Sequence, residues 1–205
     1  MCIRDRAETV RAVREALDLL APATPIVLDP VMVAESGAVL LDEAARQAIV
    51  DELLPLAAVI TPNLPEARVL AGAAAADADA DAEALARTLH ALGPRAVVVT
   101  GGHREQATDV FFDGEELHLI PGERHADGAA HGSGCTHSSS LAAHLALGLS
   151  PLEAAVAARA IAGEAVRNGL RQIGHGAGPV DVFDLTAVAA NRTFGADRRS
   201  PPRGA

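Results

Sequence analysis

Short apolar runs alternate along this chain with stripes of helical period, the pattern of βα units that share a parallel sheet. Ala7–Leu20 reads as a helix, and Pro25–Leu28 as a buried strand running into Asp29-Pro30. Leu41, Ala45, Ile49 and Leu53 recur on one helical face, with Asp42 placed to cap its start. Ala57–Ile60 forms the next strand, stopped by Thr61-Pro62. A helix over Pro65–Leu70 leads into the low-complexity stretch Ala71–Ala80, read as a loop. The helix after it is striped by Leu85, Leu89 and Leu92 and ended by Gly93-Pro94. Ala96–Val99 is a third buried strand, and Val110–Phe112 and Leu117–Ile120 flank Asp113-Gly114 as a hairpin. Two Ala-rich helices follow, Ser133–Leu147 and Pro151–Asn168, whose small faces suit close packing. The polar, Pro-bearing tail Asn191–Ala205 is expected to be disordered.

Composition narrows the function. A chain of 205 residues holds one full-sized domain, and 49% hydrophobic with 21% charged residues is a soluble globular balance. A net charge of -10 argues against nucleic acid or an anionic membrane as partner, and the absence of Trp and Tyr removes base-stacking platforms. No apolar run reaches membrane-spanning length. Cys2 and Cys135 make no disulfide framework, so a reducing cytoplasm is the expected compartment. Met1–Arg6 fits no element and resembles a translated sequencing-adapter scar, so a non-native start is expected there.

The segment richest in chemistry is His131-Gly132-Ser133-Gly134-Cys135-Thr136, at the head of a long helix. Its glycines let the backbone aim successive N–H groups at one point, and the helix start adds unsatisfied amides, so the loop suits an anion. A Gly-rich helix start is common by itself, and context decides. Asp29-Pro30-Val31-Met32 closes one strand, Thr61-Pro62-Asn63-Leu64-Pro65-Glu66 the next, and Gly101-Gly102-His103 the third. Ligands of parallel sheets gather at the carboxyl ends of strands, so these four segments are expected to converge.

In this order, those blocks and the Asp113-Gly114 hairpin resemble the hydroxymethylpyrimidine/phosphomethylpyrimidine kinases of the ribokinase-like superfamily, over residues 24 to 180. The resemblance implies an α/β fold, three-layer α/β/α with a mostly parallel sheet, and a small β-hairpin after the third strand. It implies ATP and Mg²⁺ as cofactors. The acceptor it implies is the pyrimidine alcohol of thiamine biosynthesis, its monophosphate, or both, handled by a homodimer at full length. By position, Gly132, Ser133 and Gly134 match the family's anion hole for the moving phosphoryl group, with Thr136 beside them. Glu66 matches the residue that organises Mg²⁺ through waters, with Asn63 next to it in the pattern N-x-x-E. Asp29 stands where relatives approach metal or phosphate, although Asp is equally a strand-end turn residue.

Cys135 replaces the Asp base of most ribokinase-like enzymes, and helix N-termini in general favour thiolates. Its competing reading is a small buried hydrophobe. Thr100, Gly101 and Gly102 fall at the nucleotide end of a strand, with Thr100 where many relatives carry Lys. His103, His131 and His137 read as bystanders that lack zinc-site spacing.

The family's opening strand and Gly-rich loop have no counterpart before Ala7. The expectation is therefore a partial kinase domain over 7–190, lacking N-terminal strands, that self-associates through the strand Ile26–Leu28 and works weakly alone. A pyridoxal kinase is the nearest alternative, disfavoured by Cys135 and by Leu64-Pro65, and an inactive nucleotide-binding fragment is another. From a different class, Cys135 with a nearby His could serve a hydrolase. No G-x-x-x-x-G-K-[ST] occurs, against a P-loop enzyme.

Overall fold

The computed structural model describes residues 6–32, 40–72, 82–101, 107–125, 129–173, 176 and 178–185. Helix α1 spans Ala7–Leu17, strand β1 Val27–Leu28, helix α2 Glu43–Ala48 and strand β2 Val59–Ile60. Helices α3 (Leu64–Ala71) and α4 (Ala82–His90) lead to strand β3 (Val97–Val99). The hairpin is β4 (Asp109–Phe112) with β5 (Leu117–Ile120), followed by α5 (Ser133–Ala146) and α6 (Pro151–Arg167). The five strands lie in chain order in one sheet. β1 pairs with β2 and β2 with β3 in parallel, while β4 is antiparallel to both neighbours. Four strands therefore share a direction, and β4 alone runs against them. The expected Ala71–Ala80 loop, for all but its first two residues, lies outside the described residues, as do the opening Met1–Asp5 and the tail from Asn191.

The apolar runs give three layers because alternate side chains leave opposite faces of a strand. Val97, Val99, Val110, Phe112 and Ile60 pack with the helices α1 to α4. Val98, Phe111 and Val59 pack with Leu141 of α5 and with Ala154, Ala155 and Ala158 of α6. Ser150 and Glu153 form a reciprocal capping box ahead of Pro151, which fixes the start of α6. The buried face of α6 is alanine throughout, from Ala154 to Ala165, so it lies close to the sheet and to α5.

Local chemistry moves some expected boundaries. Asp42 caps α2 through Ala45, as its position suggested. The stripe to Leu53 does not stay α-helical, however: it widens into a π-helical turn over Ile49–Leu53 and a 3₁₀ turn over Leu54–Leu56. Pro55 lies in that last turn, where it lacks an N–H to donate and crowds the turn before it. Strand β1 is shorter than Pro25–Leu28, although Ile26 O still accepts from Ala58 N at 2.8 Å. The hairpin turns through four residues, Asp113–Glu116, and not through Asp113-Gly114 alone.

In that turn the Asp113 carboxylate accepts from the amides of Glu116 (2.8 Å) and Glu115 (3.0 Å). Those amides, Glu116 first, hold its pKa below the ordinary 3.8. A depressed carboxylate stabilises the fold above its unfolded pKa and loses that contribution as pH falls through the folded one. Asp113→Ala is expected to cost no more than about 1 kcal/mol at neutral pH, because the turn is exposed. In urea titrations the gap between the two proteins should close below about pH 4, near the unfolded Asp value. A gap that persists unchanged in acid would contradict this.

Candidate active site

The carboxyl ends of β1, β2 and β3 meet the first turn of α5. Thr61 N donates to Leu28 O at 3.1 Å, and Thr100 N to Pro62 O at 2.9 Å. Asn63 and Thr100 form an isolated parallel bridge that carries the β2–β3 pairing one step further. Gly132 takes the left-handed conformation, φ 89°, that starts α5 and that a side chain would strain. His131 is tied to the segment 178–180 by His131 N to Gly178 O and Val180 N to His131 O, at 3.3 and 3.0 Å.

Asn63 is the N-cap of α3, and its Oδ1 accepts from Glu66 N at 2.9 Å. The Glu66 carboxylate returns the bond, accepting from Asn63 N at 3.0 Å. The pattern N-x-x-E is thus a capping box, a role that the sequence reading did not assign to it. Glu66 is buried, and burial foremost raises its pKa, opposed by the Asn63 amide. The neighbouring charge of Asp29 raises it further, and the backbone of Met32 counters that. Asp29 in turn accepts from the Ser138 hydroxyl at 3.1 Å, which fastens the end of β1 to α5. Two carboxylates from separate strand ends therefore act on each other beside the α5 start. Among the described residues no group of three His, Cys, Asp or Glu side chains gathers as a metal site.

Two clefts flank the α5 terminus. One, of about 420 Å³, is lined by Asn63, Thr100, Ser133, Gly134, Asp109 and His137 among others. The other, of about 470 Å³, is lined by Asp29, Cys135 and Ser138 together with apolar residues of α1 and β1. The helix start thus separates Ser133 and Gly134 on one side from Cys135 and Asp29 on the other. Cys135 is a free, exposed thiol, so the buried-hydrophobe reading does not hold. The Thr136 hydroxyl turns back to Gly132 O at 2.9 Å and braces the first turn. Gly102 and His103 lie outside the described residues.

The sequence reading missed what stands behind the first cleft. Asp109, fully buried, accepts from Gly101 N at 2.7 Å. His137, far from being a bystander, is buried against it, and Arg159 of α6 reaches the same place. An isolated Asp at a strand start and an Arg on an alanine helix carry no motif, and only the assembled fold brings them together.

Residues 4–181 match the family model described as phosphomethylpyrimidine kinase. The chain is 43% identical over 181 residues to the hydroxymethylpyrimidine/phosphomethylpyrimidine kinase of Rhizobium meliloti (strain 1021), covering 87% of this chain and 67% of that one. It is 45% identical over 162 residues to the enzyme of the same name from Synechococcus elongatus, covering 78% and 61%. Among solved structures it is similar to the pyridoxal kinase from Staphylococcus aureus in complex with ADP. There the TM-score is 0.79 at 29% identity, over 91% of this chain and 68% of that one. The chain spans about two thirds of the length of these relatives.

A Cβ added at Gly101 would overlap the Thr108 carbonyl, which is backbone and cannot swing away. Gly101→Ala is expected to push the Gly101 and Thr108 backbones apart and to lower stability by roughly 1–3 kcal/mol, the usual cost of overpacking. A urea midpoint equal to that of the parent would show that the backbone there has room to spare.

Proposed function

This chain belongs to the phosphomethylpyrimidine kinase family, and on that footing we propose that it transfers the γ-phosphoryl group of ATP to 4-amino-5-hydroxymethyl-2-methylpyrimidine, its monophosphate, or both, in thiamine biosynthesis. The observation that carries the reading is the α5 terminus, which parts a nucleotide-sized cleft from a second cleft holding the only thiol of the site among the described residues. Phosphoryl transfer needs little covalent help from protein, and is served by positioning and by stabilising charge.

In this reading the nucleotide lies in the cleft of Asn63, Thr100, Ser133 and Gly134. Its γ-phosphoryl group faces the amides of Gly132, Ser133 and Gly134, with Gly101 and Gly102 at the strand end and Thr136 bracing the turn. The acceptor enters beside Cys135. Its hydroxyl oxygen bonds to the γ-phosphorus, the bond from that phosphorus to the bridging oxygen breaks, and ADP leaves with the electron pair. With the alcohol as acceptor, Cys135 as its thiolate takes the hydroxyl proton and becomes the thiol. Asp29 and Glu66 fit Mg²⁺ held largely through water, since a divalent cation relieves the adjoining negative charge that helps to raise the Glu66 pKa. The ion would supply neutralisation of phosphate charge. Glu66 and Asn63 meanwhile hold each other and keep the start of α3 in place. The reading also takes the enzyme to be cytoplasmic and to work as a homodimer at full length.

A second reading, pyridoxal phosphorylation, is favoured by the likeness to the staphylococcal pyridoxal kinase. Both readings are tested by offering Mg·ATP with the hydroxymethylpyrimidine, its monophosphate or pyridoxal, and following ADP and the phosphorylated product. The chain should be assayed as it stands and extended to the length of its relatives. Turnover is expected with the pyrimidines; turnover with pyridoxal alone would replace the first reading by the second. Glu66→Gln should lower the rate about tenfold or more and raise the Mg²⁺ requirement. It should fold normally, because Gln also completes a capping box.

Cys135→Ala separates the two acceptors. An alcohol must lose a proton as it attacks, whereas a phosphate monoester is already anionic. The substitution is expected to slow phosphorylation of the free alcohol by roughly 10²-fold or more, and that of the monophosphate much less. Equal losses for both would make the thiol part of the anion hole and not the base.

A further inference from the structure

Asp109 opens β4 with no exposed surface, a costly place for a carboxylate unless it is bonded and paired. One oxygen, Oδ1, accepts from Gly101 N at 2.7 Å. The other, Oδ2, lies 3.4 Å from His137 Nε2 and 3.9 Å from Arg159 Nε. These are ion-pair distances without hydrogen-bond geometry, and neither nitrogen has another hydrogen-bond partner among the described residues. Arg159 also donates through Nη2 to Ala107 O. One buried side chain therefore joins four pieces: the end of β3, the start of β4, the second turn of α5 and the middle of α6.

All four of those pieces wall the cleft of about 420 Å³. Thr100 stands beside Gly101, Ser133 and Gly134 begin α5, and Ala162 continues α6. His137 follows Ser133 by one helical turn on the same helix face. Whatever fixes His137 against Asp109 therefore also fixes the direction of the amides at the α5 start. Gly101 also has no room for a side chain, because an added Cβ would overlap the Thr108 carbonyl.

We propose that Asp109 is a positioning residue for nucleotide binding, bonding Gly101 at the end of β3 and braced by His137 and Arg159 so that this strand end and the α5 terminus keep a fixed spacing. This rests on the kinase reading and deepens it. Without this bond the strand end would have to be ordered at the expense of the ligand's binding energy, which makes the bond measurable in affinity and not only in stability.

The test is titration calorimetry of Mg·ADP into the full chain, well below each variant's melting temperature. Asp109→Ala is expected to weaken binding about tenfold or more, and Asp109→Asn, which still offers Gly101 an acceptor, to restore most of it. His137→Leu should weaken binding several-fold, and His137→Gln, which keeps a donor toward Asp109, should weaken it less. Folded Asp109→Ala protein with the parent's affinity would overturn the proposal, and so would an Asp109→Asn protein as weak as Asp109→Ala. Should Asp109→Ala not fold, the His137 pair decides, and parental affinity in His137→Leu would overturn the proposal. A parent chain that binds no Mg·ADP at all would instead remove the kinase reading, and this inference with it.

Discussion

The site depends on how the first two turns of α5 are held against the ends of the parallel strands. Amides at a helix start are useful to an anion only if they cannot wander, because their worth lies in being aimed before the charge arrives. Ser138 fastens this helix to Asp29 at the end of β1, and His137, its neighbour in sequence, packs on Asp109 at the start of β4. Consecutive residues point about 100° apart around a helix, so the pair restrains both sliding and rotation. The left-handed Gly132 and the hydroxyl of Thr136 complete the hold from the front.

The same arrangement explains why a sheet with one reversed strand suits the site. β1, β2 and β3 deliver their carboxyl ends to one edge, and each supplies a loop there. β4 returns against them, so its first residue, Asp109, comes back to that same edge behind the loop of β3. A fourth strand in the parallel sense would have carried its start to the opposite end. The hairpin thus brings a carboxylate to the back of the cleft.

Much of this was legible in the sequence because it is written in local terms. Unbroken apolar runs marked β2 and β3, Asp42 marked a cap, and the glycines before Cys135 marked a helix start. Other features were beyond local reading. The stripe from Leu41 to Leu53 concealed a wide turn, because periodicity is a property of side chains and Pro55 acts on the backbone. The capping role of Glu66 was hidden because a capping box and a motif occupy the same four residues. The Asp109, His137 and Arg159 group was out of reach altogether, since its members come from three elements that only tertiary packing brings together.

The alanine face of α6 carries a consequence for how this lineage can drift. Arg159 reaches Ala107 and approaches Asp109 because Ala155, Ala158 and Ala162 let its helix lie close. Their methyl groups are a spacer as much as they are a core. A Val or Leu at Ala158 keeps the position apolar, and a tally of hydrophobic residues would count it as neutral. It would nevertheless lift the helix and draw the guanidinium off its carboxylate. Selection on binding, and not on folding alone, would then hold these residues small, and a lineage freed of the ligand should show that release first as larger side chains along this one face.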